Sequence, residues 1–310
     1  MATARSQEGI CSLINDRNLK LQTEAGRTPD YCDVVVTEDT LLVLDGMNLQ
    51  LYSRRDGKLL SSHRLQSFPY GVCLISKTEV AVCLWIGMIV ILSFRSVHDV
   101  KMVKTLDLRT GFRFCHSATK LDSSDKLVVS GKKYEDLSMM CWGVVNLTDG
   151  RLDSTHNICE GGGGNRSHLA IKDNTVYISC WTDDSTTRGV YAYDIFNPHT
   201  QKFLYQHQEL KSPGSVMADW DSIFVCDRDS NRIHQLAESG QLVTIHTVSS
   251  RLREIFHDDQ HGVLYTTSDG SNVITVYKIE YLHQPDSRAP EQRKKAQTHA
   301  TQKTNFCLLM

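Results

Sequence analysis

The chain has 310 residues, with 34 Lys and Arg against 36 Asp and Glu, and its formal net charge is −2. Hydrophobic residues make up 40% and charged residues 23% of the chain, which is the ordinary balance of a globular protein. These values exclude a disordered chain, a collagen-like chain and a strongly basic nucleic-acid binder. The length suits either two average domains or one large all-β barrel or propeller.

The start of the chain, its most apolar stretch and its cysteines favour a cytoplasmic protein. The first residues, M-A-T-A-R-S-Q-E-G-I, lack the apolar core of a signal peptide. The apolar stretch from Val80 to Phe94 is shorter than the ~18–20 residues that cross a bilayer, and Gly87 divides it into two strand-length halves. The ten cysteines are spread along the chain without a C-x-x-C pair, which is typical of a reducing compartment.

Short apolar runs separated by polar turns recur between residues 31 and 283, and helical periodicity is nearly absent there. The clearest copy of this pattern lies between Pro213 and Val248. It predicts four strands, at Val216 to Ala218, Ile223 to Cys226, Arg232 to Leu236 and Gln241 to Thr247. Asp, Asn, Ser and Gly supply the turn chemistry between these strands.

The second strand of such a unit is predicted to end at six points, Asp45, Trp85, Ser130, Trp181, Asp227 and Asp269. Successive points are separated by 40 to 51 residues. A period in the forties with four strands per repeat is typical of propeller blades, because one sheet alone cannot bury its own faces. The sequence therefore predicts an all-β, six-bladed β-propeller with four-stranded blades. A pair of β-sandwiches is the alternative.

The sixth unit holds only three predicted strands, at Arg253 to Phe256, Val263 to Thr266 and Val273 to Tyr281. A three-stranded last blade would leave a sheet edge exposed. The alternating N-terminal stretch from Cys11 to Glu24 is predicted to supply the missing outermost strand. The predicted organisation is a disordered N-terminus over residues 1–10, a propeller over 11–283 and a disordered polar and basic tail over 284–310.

The copy at residues 213–245, P-G-S-V-M-A-D…I-F-V-C-D-R-D-S-N-R-I-H-Q-L…G-Q-L, resembles an NHL repeat. The resemblance is closest to the six-bladed propeller at the C-terminus of TRIM-NHL proteins. It implies a recognition role, of which an adaptor in ubiquitin-related pathways is one form. The RING and B-box zinc ligands of those proteins are absent, since the first 30 residues hold one Cys and no His. Ligase chemistry is therefore not carried over.

No catalytic, metal or cofactor site is predicted. Asp227, Asp229 and Asn231 match the start of a calcium loop, but Arg232 stands where such a loop needs Gly. The run from Gly161 to Gly164 is followed by neither the Lys nor the helix of a phosphate loop. Neither H-E-x-x-H nor G-x-S-x-G occurs. The enzymatic alternative is a gluconolactonase-like, metal-dependent hydrolase propeller, whose three ligands are not found at matching blade positions.

The candidate binding face is built from four residues, Trp220 in a turn and His116, His168 and His257 near the starts of blades. Together with Asp173, Asp219 and Asp258, the histidines can form a polar rim around the central channel. Ordinary exposed turn residues are the alternative explanation for them. Trp220 is a candidate anchor for a partner because large aromatics dominate binding energy. Trp85 and Trp181 end second strands and are predicted to pack between blades.

The charge distribution favours protein partners over nucleic acid. The last 27 residues carry five cations against two anions, so the net charge divides into +3 there and −5 before them. An acidic propeller disfavours the neutralisation of phosphates on which nucleic-acid binding depends. We expect a monomer that binds one or more proteins. An RNA-binding NHL propeller with a local basic face is the alternative.

The C-terminal residues Cys307-Leu308-Leu309-Met310 match the C-a-a-X prenylation pattern, and the final Met favours farnesyl. Arg293, Lys294 and Lys295 would add attraction to an anionic leaflet. Cys307 is therefore a candidate lipidation site, and membrane association is expected only if it is modified. A plain polar tail is the alternative.

Overall fold

The computed structural model describes residues 11–23, 28–121, 124–159, 167–182, 186–219, 222–248, 252–258 and 261–281. These residues form 24 β-strands in six four-stranded antiparallel sheets. The protein is a six-bladed β-propeller, as the period predicts. Among the described residues, no helix has the length and hydropathy needed to span a bilayer. Residues 1–10 and the tail over 284–310 lie outside the described residues.

The strands of each blade run in order from the channel to the rim. Blade 1 consists of β2 (Tyr31–Val36), β3 (Thr40–Asp45), β4 (Asn48–Ser53) and β5 (Leu59–Arg64). Blade 2 consists of β6 (Pro69–Ser76), β7 (Glu79–Leu84), β8 (Met88–Ser96) and β9 (Asp99–Asp107). Blade 3 consists of β10 (Phe112–Lys120), β11 (Lys126–Lys133), β12 (Met140–Asn146) and β13 (Leu152–Cys159).

The remaining blades follow the same order. Blade 4 consists of β14 (Ser167–Lys172), β15 (Thr175–Cys180), β16 (Gly189–Asp194) and β17 (Lys202–Tyr205). Blade 5 consists of β18 (Pro213–Ala218), β19 (Ile223–Asp227), β20 (Arg232–Leu236) and β21 (Leu242–Thr247). Blade 6 consists of β22 (Leu252–Asp258), β23 (Val263–Ser268), β24 (Val273–Tyr281) and the N-terminal β1 (Cys11–Lys20).

The innermost strands contact their neighbours in sequence, and β2 contacts β22 to complete the ring. The upper face of the ring is the one on which the innermost strands begin, and the lower face is the one on which they end. Second strands run antiparallel to innermost strands, so the turns that follow second strands lie on the upper face.

The ring is closed by the N-terminal strand, as the sequence predicts. The pairing of β1 with β24 runs from Cys11 opposite Tyr281 to Lys20 opposite Val273. Past the end of β1, Leu21 N donates to Asn272 O at 2.7 Å, and the Leu21 side chain is buried. The closed blade has no unpaired edge at β24, because the start of the chain covers it.

The second strands end close to the predicted points. Blades 1 and 5 end theirs at Asp45 and Asp227 as predicted, and blades 2, 4 and 6 end theirs one residue earlier than predicted. Only blade 3 differs more, since β11 continues to Lys133 rather than ending at Ser130. The second strand of blade 3 therefore extends three residues beyond its predicted end.

Buried aspartates at these strand ends fix the connections between blades. In blade 1, Asp45 Oδ1 accepts from Asp30 N at 2.8 Å. In blade 5, Asp227 Oδ1 accepts from Ser212 N at 2.8 Å, and its other oxygen accepts from Lys211 N at 3.2 Å. Burial of a carboxylate is tolerated because such bonds satisfy it. The second strands of blades 1 and 5 end in V-L-D and V-C-D, and the Asp of each caps the backbone of the chain that enters the blade.

The hydrophobic core lies between neighbouring blades rather than in one central mass. Each cluster of buried residues combines strands of adjacent sheets, and the cluster around Trp142 joins blades 3 and 4. This arrangement explains why the strands are nearly continuous apolar runs, since both faces of each inner strand are covered.

Candidate functional site

A group of exposed hydrophobic side chains lies on the upper face over blades 2 and 3. We call it the upper-face patch. Its most exposed members are Phe68 (54%), Trp85 (44%), Ile86 (41%), Tyr134 (49%) and Leu137 (49%). Phe68 precedes β6, Trp85 and Ile86 form the turn after β7, and Tyr134 and Leu137 lie in the connection after β11. Three loops of two neighbouring blades therefore bring large apolar groups to one surface.

Ring and cation–π contacts connect two members of this patch, Trp85 and Tyr134, through three further residues. Trp85 stacks on Tyr70 with centroids 5.0 Å apart and contacts Phe114 at 4.5 Å. The Arg113 guanidinium lies 6.0 Å from the Phe114 ring centre and 5.9 Å from that of Tyr134. We call these five residues the aromatic ladder. Contacts of this kind are worth about 0.5–1.5 kcal/mol each beyond the buried area, so the ladder is a pre-arranged surface.

Two β-bulges aim ladder side chains out of the sheets. The pairing of β6 with β7 skips Tyr70, and the pairing of β10 with β11 skips Arg113. Opposite the second bulge, a Cβ at Gly131 would lie 1.9 Å from the Phe114 carbonyl oxygen, so only glycine fits there. An unpaired bulge residue re-directs its side chain and bends the strand. The local backbone therefore puts Tyr70 and Arg113 on the same face.

The Trp85 turn is also held by the backbone. Trp85 N donates to Phe68 O at 2.8 Å, which joins two of the loops that build the patch. Gly87 closes this turn with φ of 68°, a conformation that favours glycine. The same glycine that divides the apolar stretch in the sequence thus places Trp85 outside the core.

The three histidines predicted at the channel do not share one face. His116 is buried, and its Nδ1 accepts from Ser167 N at 3.3 Å between blades 3 and 4. His168 is also buried, with Nδ1 3.4 Å from Glu254 Oε2 near the upper end of the channel. His257 lies towards the lower face, with Nε2 3.8 Å from Asp219 Oδ2. All three contacts join different blades, and only His116 of the three approaches the ladder, through Tyr70 at 5.2 Å.

The channel itself holds a cavity of about 1080 Å³ lined by all six innermost strands. Its polar side chains bind the backbone of neighbouring blades. Asp33 Oδ2 accepts from Val72 N at 2.8 Å, and Ser215 Oγ accepts from Ile255 N at 2.6 Å. At the lower end, Asp258 pairs with Arg54 at 2.7 Å. These bonds hold adjacent blades together around the ring.

Within the described ranges, no group of three or more His, Cys, Asp or Glu side chains is arranged to hold a metal ion. The cysteines whose side chains the structure describes are all free and buried. Burial raises the pKa of the Cys73 thiol to about 12 and that of Cys226 well above its usual range. A thiol nucleophile needs a lowered pKa, so these cysteines act as small hydrophobic residues.

Trp220, the predicted anchor, and Cys307, the predicted lipidation site, lie outside the described residues. So does the run from Gly161 to Gly164. Asp173 and Asp219 both lie at the lower ends of innermost strands, next to β14 and β18. Arg232, which follows the aspartates of the rejected calcium-loop match, forms an ion pair with Glu209.

No sequence pattern predicted the upper-face patch. The strand pattern predicts that Trp85 packs between blades, but this prediction is wrong, since Trp85 is 44% exposed in the turn one residue beyond β7. The usable signal was Trp-Ile-Gly in a short turn, because apolar residues beside a glycine in a hairpin connection do not belong to a strand. Ladder members on different blades are up to 64 residues apart in the chain, as for Tyr70 and Tyr134, and only the ring brings them together.

No protein-family model and no curated protein matches the sequence. Solved structures do match the fold. The luciferin-regenerating enzyme aligns with a TM-score of 0.62 at 16% identity, over 86% of this chain and 95% of that chain. A chain of the nidogen–laminin complex aligns with a TM-score of 0.56 at 11% identity, over 77% of this chain and 94% of that chain. The WD40 β-propeller domain of Doa1 aligns with a TM-score of 0.55 at 15% identity, over 89% of this chain and 98% of that chain.

One of these neighbours is named as an enzyme, and the other two are a propeller domain and a chain of a protein complex. Identities of this size carry no information on function. The similarity therefore shows the architecture alone, and that architecture is a β-propeller.

Proposed function

We propose that this propeller is a non-catalytic recognition module that binds a protein partner through the upper-face patch. The observation that carries the proposal is the exposure of Trp85, Phe68 and Tyr134 in one connected surface. Exposed apolar groups of this size are costly in water unless a partner covers them. Interfaces obtain most of their binding energy from a few aromatic and Arg side chains, and the ladder provides both kinds.

The rigidity of the surface supports the same function. Tyr70, Arg113 and Phe114 stand on innermost strands and Trp85 stands in a tight turn, so these side chains lose little conformational entropy when a partner binds. The resemblance of residues 213–245 to an NHL repeat agrees with a recognition role, and an adaptor role in ubiquitin-related pathways is its most specific form. That form is tested by the identity of the captured partners.

The test is quantitative affinity capture from eukaryotic cell extract with the full chain and two variants. Trp85→Ala removes the centre of the ladder. Phe196→Ala is the matched control, since Phe196 is 77% exposed in the connection between β16 and β17 of blade 4, outside the patch. Proteins that bind through the patch are lost with Trp85→Ala and retained with Phe196→Ala.

Two results would contradict the proposal. One is a set of captured proteins that is the same for Trp85→Ala and the unchanged chain. The other is stoichiometric metal in the purified protein together with lactone hydrolysis, which would favour the hydrolase alternative.

Membrane association is a separate proposal that depends on Cys307. A single prenyl chain anchors weakly, so the basic residues before it would act as the second signal. Intact-mass measurement of protein made in a eukaryotic cell tests it. A farnesyl adduct that Cys307→Ser removes is the expected result, and an unmodified C-terminus refutes it.

A further inference from the structure

Arg113 gives the upper-face patch a chemical preference. Its guanidinium lies between the rings of Phe114 and Tyr134, and the residue is exposed. Among the described residues, no carboxylate lies within ion-pair distance of it. A guanidinium that rests on aromatic faces keeps its N–H groups at the edge, where a planar carboxylate can accept two of them. The site is therefore pre-arranged for a carboxylate.

The neighbouring acidic groups do not neutralise this charge, because each is engaged elsewhere. Asp107 pairs with Arg109, and this bond lowers the pKa of the Asp107 carboxyl to about 2. Glu135 lies 3.7 Å from Lys133. Asp136 accepts from Ser138 Oγ at 2.6 Å and from Ser138 N at 2.9 Å within its own turn. Lys132 is the backbone partner of Phe114 across the strands, so a second cationic residue stands opposite the residue that follows Arg113.

Trp85 is the apolar counterpart at the other end of the ladder. Its ring is supported by Tyr70 and Phe114, so it presents a fixed apolar surface. Trp85 and Arg113 are connected through Phe114 by contacts of 4.5 and 6.0 Å. An extended chain advances ~3.3 Å per residue, so two or three residues of a bound segment span this distance.

We propose that the patch binds an extended peptide segment of the partner, in which an apolar side chain packs on Trp85 and an Asp or Glu two or three positions away pairs with Arg113. This inference rests on the proposed recognition function and names the chemistry of its ligand. Charge complementarity selects an acidic segment, and the ladder selects an apolar anchor within it.

Single-stranded RNA is the competing ligand, because bases also stack on aromatic rings and phosphates also bind Arg. The charges favour the peptide. Residues 1–283 carry −5. Of the cations near the ladder, Arg109 and Lys133 already pair with Asp107 and Glu135, so few positive charges are left for a polyanion. A single carboxylate, by contrast, needs one guanidinium.

The test uses the full chain against a phage-displayed library of random 12-residue peptides. We expect the selected peptides to share an apolar residue with Asp or Glu two or three positions from it. A synthetic peptide from this set should lose affinity at least roughly tenfold with Trp85→Ala and roughly tenfold with Arg113→Gln. Phe196→Ala should change it less than twofold. Both affected residues are exposed, and circular dichroism verifies that the variants fold.

A charge exchange adds a sharper criterion. Replacing the acidic residue of the peptide by Lys should abolish binding to the unchanged chain and restore it, at least in part, to the Arg113→Glu variant. Selected peptides that depend on Trp85 but have no acidic preference would overturn the inference and leave the recognition function standing. Two outcomes would overturn both the inference and the recognition function. One is a library that yields no Trp85-dependent peptide. The other is Trp85-dependent binding of a poly(U) oligonucleotide with a Kd below ~10⁻⁶ M at physiological salt.

Discussion

Two tryptophans on neighbouring blades show how position in a blade separates structure from recognition. Trp142 lies within β12, is fully buried between blades 3 and 4, and contacts the rings of His156 at 4.9 Å and Tyr193 at 5.4 Å. Trp85 lies one residue beyond β7 and is 44% exposed. The two indoles have similar ring neighbours, but one contributes to the core and the other to a surface.

The difference follows from the strand end. A residue inside a third strand faces the adjacent blade, whereas a residue in the turn after a second strand projects from the upper face. Burying a large aromatic in a core stabilises the fold, and exposing one makes it available to a partner. The comparison therefore predicts that substitutions in the two regions affect different measurements.

The largest expected effect tests whether packing between blades holds the whole ring. Deleting residues 1–24 removes β1, exposes the edge of β24, and removes the buried Leu19 and Leu21 from the boundary of blades 6 and 1. Because every blade depends on its neighbours, we expect loss of the cooperative unfolding transition in thermal and urea denaturation. Deleting residues 1–10 is the matched control and should leave the melting temperature unchanged. Equal melting temperatures for the two truncations would contradict the closure argument.

The next effect concerns the buried tryptophan itself. Trp142→Ala leaves a cavity between blades 3 and 4 and should lower the free energy of unfolding by about 3–5 kcal/mol. Trp142→Phe keeps a ring in place and should cost less, also because the indole N–H is buried without an acceptor among the described residues. Urea unfolding measures the free energy of unfolding of both variants. An alanine variant as stable as the phenylalanine variant would show that this site relaxes without a cavity.

A buried histidine, His234, is expected to make the stability of the core depend on pH. Burial lowers the pKa of His234 to about 4, and its Nδ1 lies 2.8 Å from the Tyr205 hydroxyl. The unfolded chain, with the ordinary pKa near 6.5, takes up the proton first, so stability is full above pH ~6.5 and falls as the pH drops towards 4. Between pH 7 and 5 we expect a loss of about 2 kcal/mol that His234→Gln removes. The same acid loss in both proteins would refute the assignment.

The smallest expected effect is on the stability of the surface. Trp85→Ala should lower the free energy of unfolding by about 1–2 kcal/mol, because only its two ring contacts are lost. The side chain is half-exposed, and no core cluster of the described residues contains it. The measurement is again urea unfolding, with Trp142→Ala as the contrasting variant. A loss of 3 kcal/mol or more would place Trp85 in the core and weaken the proposal for the patch.

Much of the fold was predictable because it depends on local pattern. The strands of blade 5, the three strands of blade 6 and the closing role of residues 11–24 follow from apolar alternation, turn residues and a repeat in the forties. The repeated Asp at the end of the second strand, as at Asp45 and Asp227, keeps its structural role wherever it is buried. These features are encoded by neighbouring residues, so the sequence alone determines them.

The site was not predictable in the same way. His116, His168 and His257 share a position near the channel in the sequence pattern, yet they lie at different depths, because strand length and bulges set the height of each residue. The ladder joins Tyr70, Trp85 and Arg113 only after two blades stand side by side with a bulge in each. Sequence by itself determined the number and order of the strands through hydrophobic period and turn chemistry. Tertiary structure alone decided which aromatic side chains are exposed together, since exposure depends on packing between residues far apart in the chain.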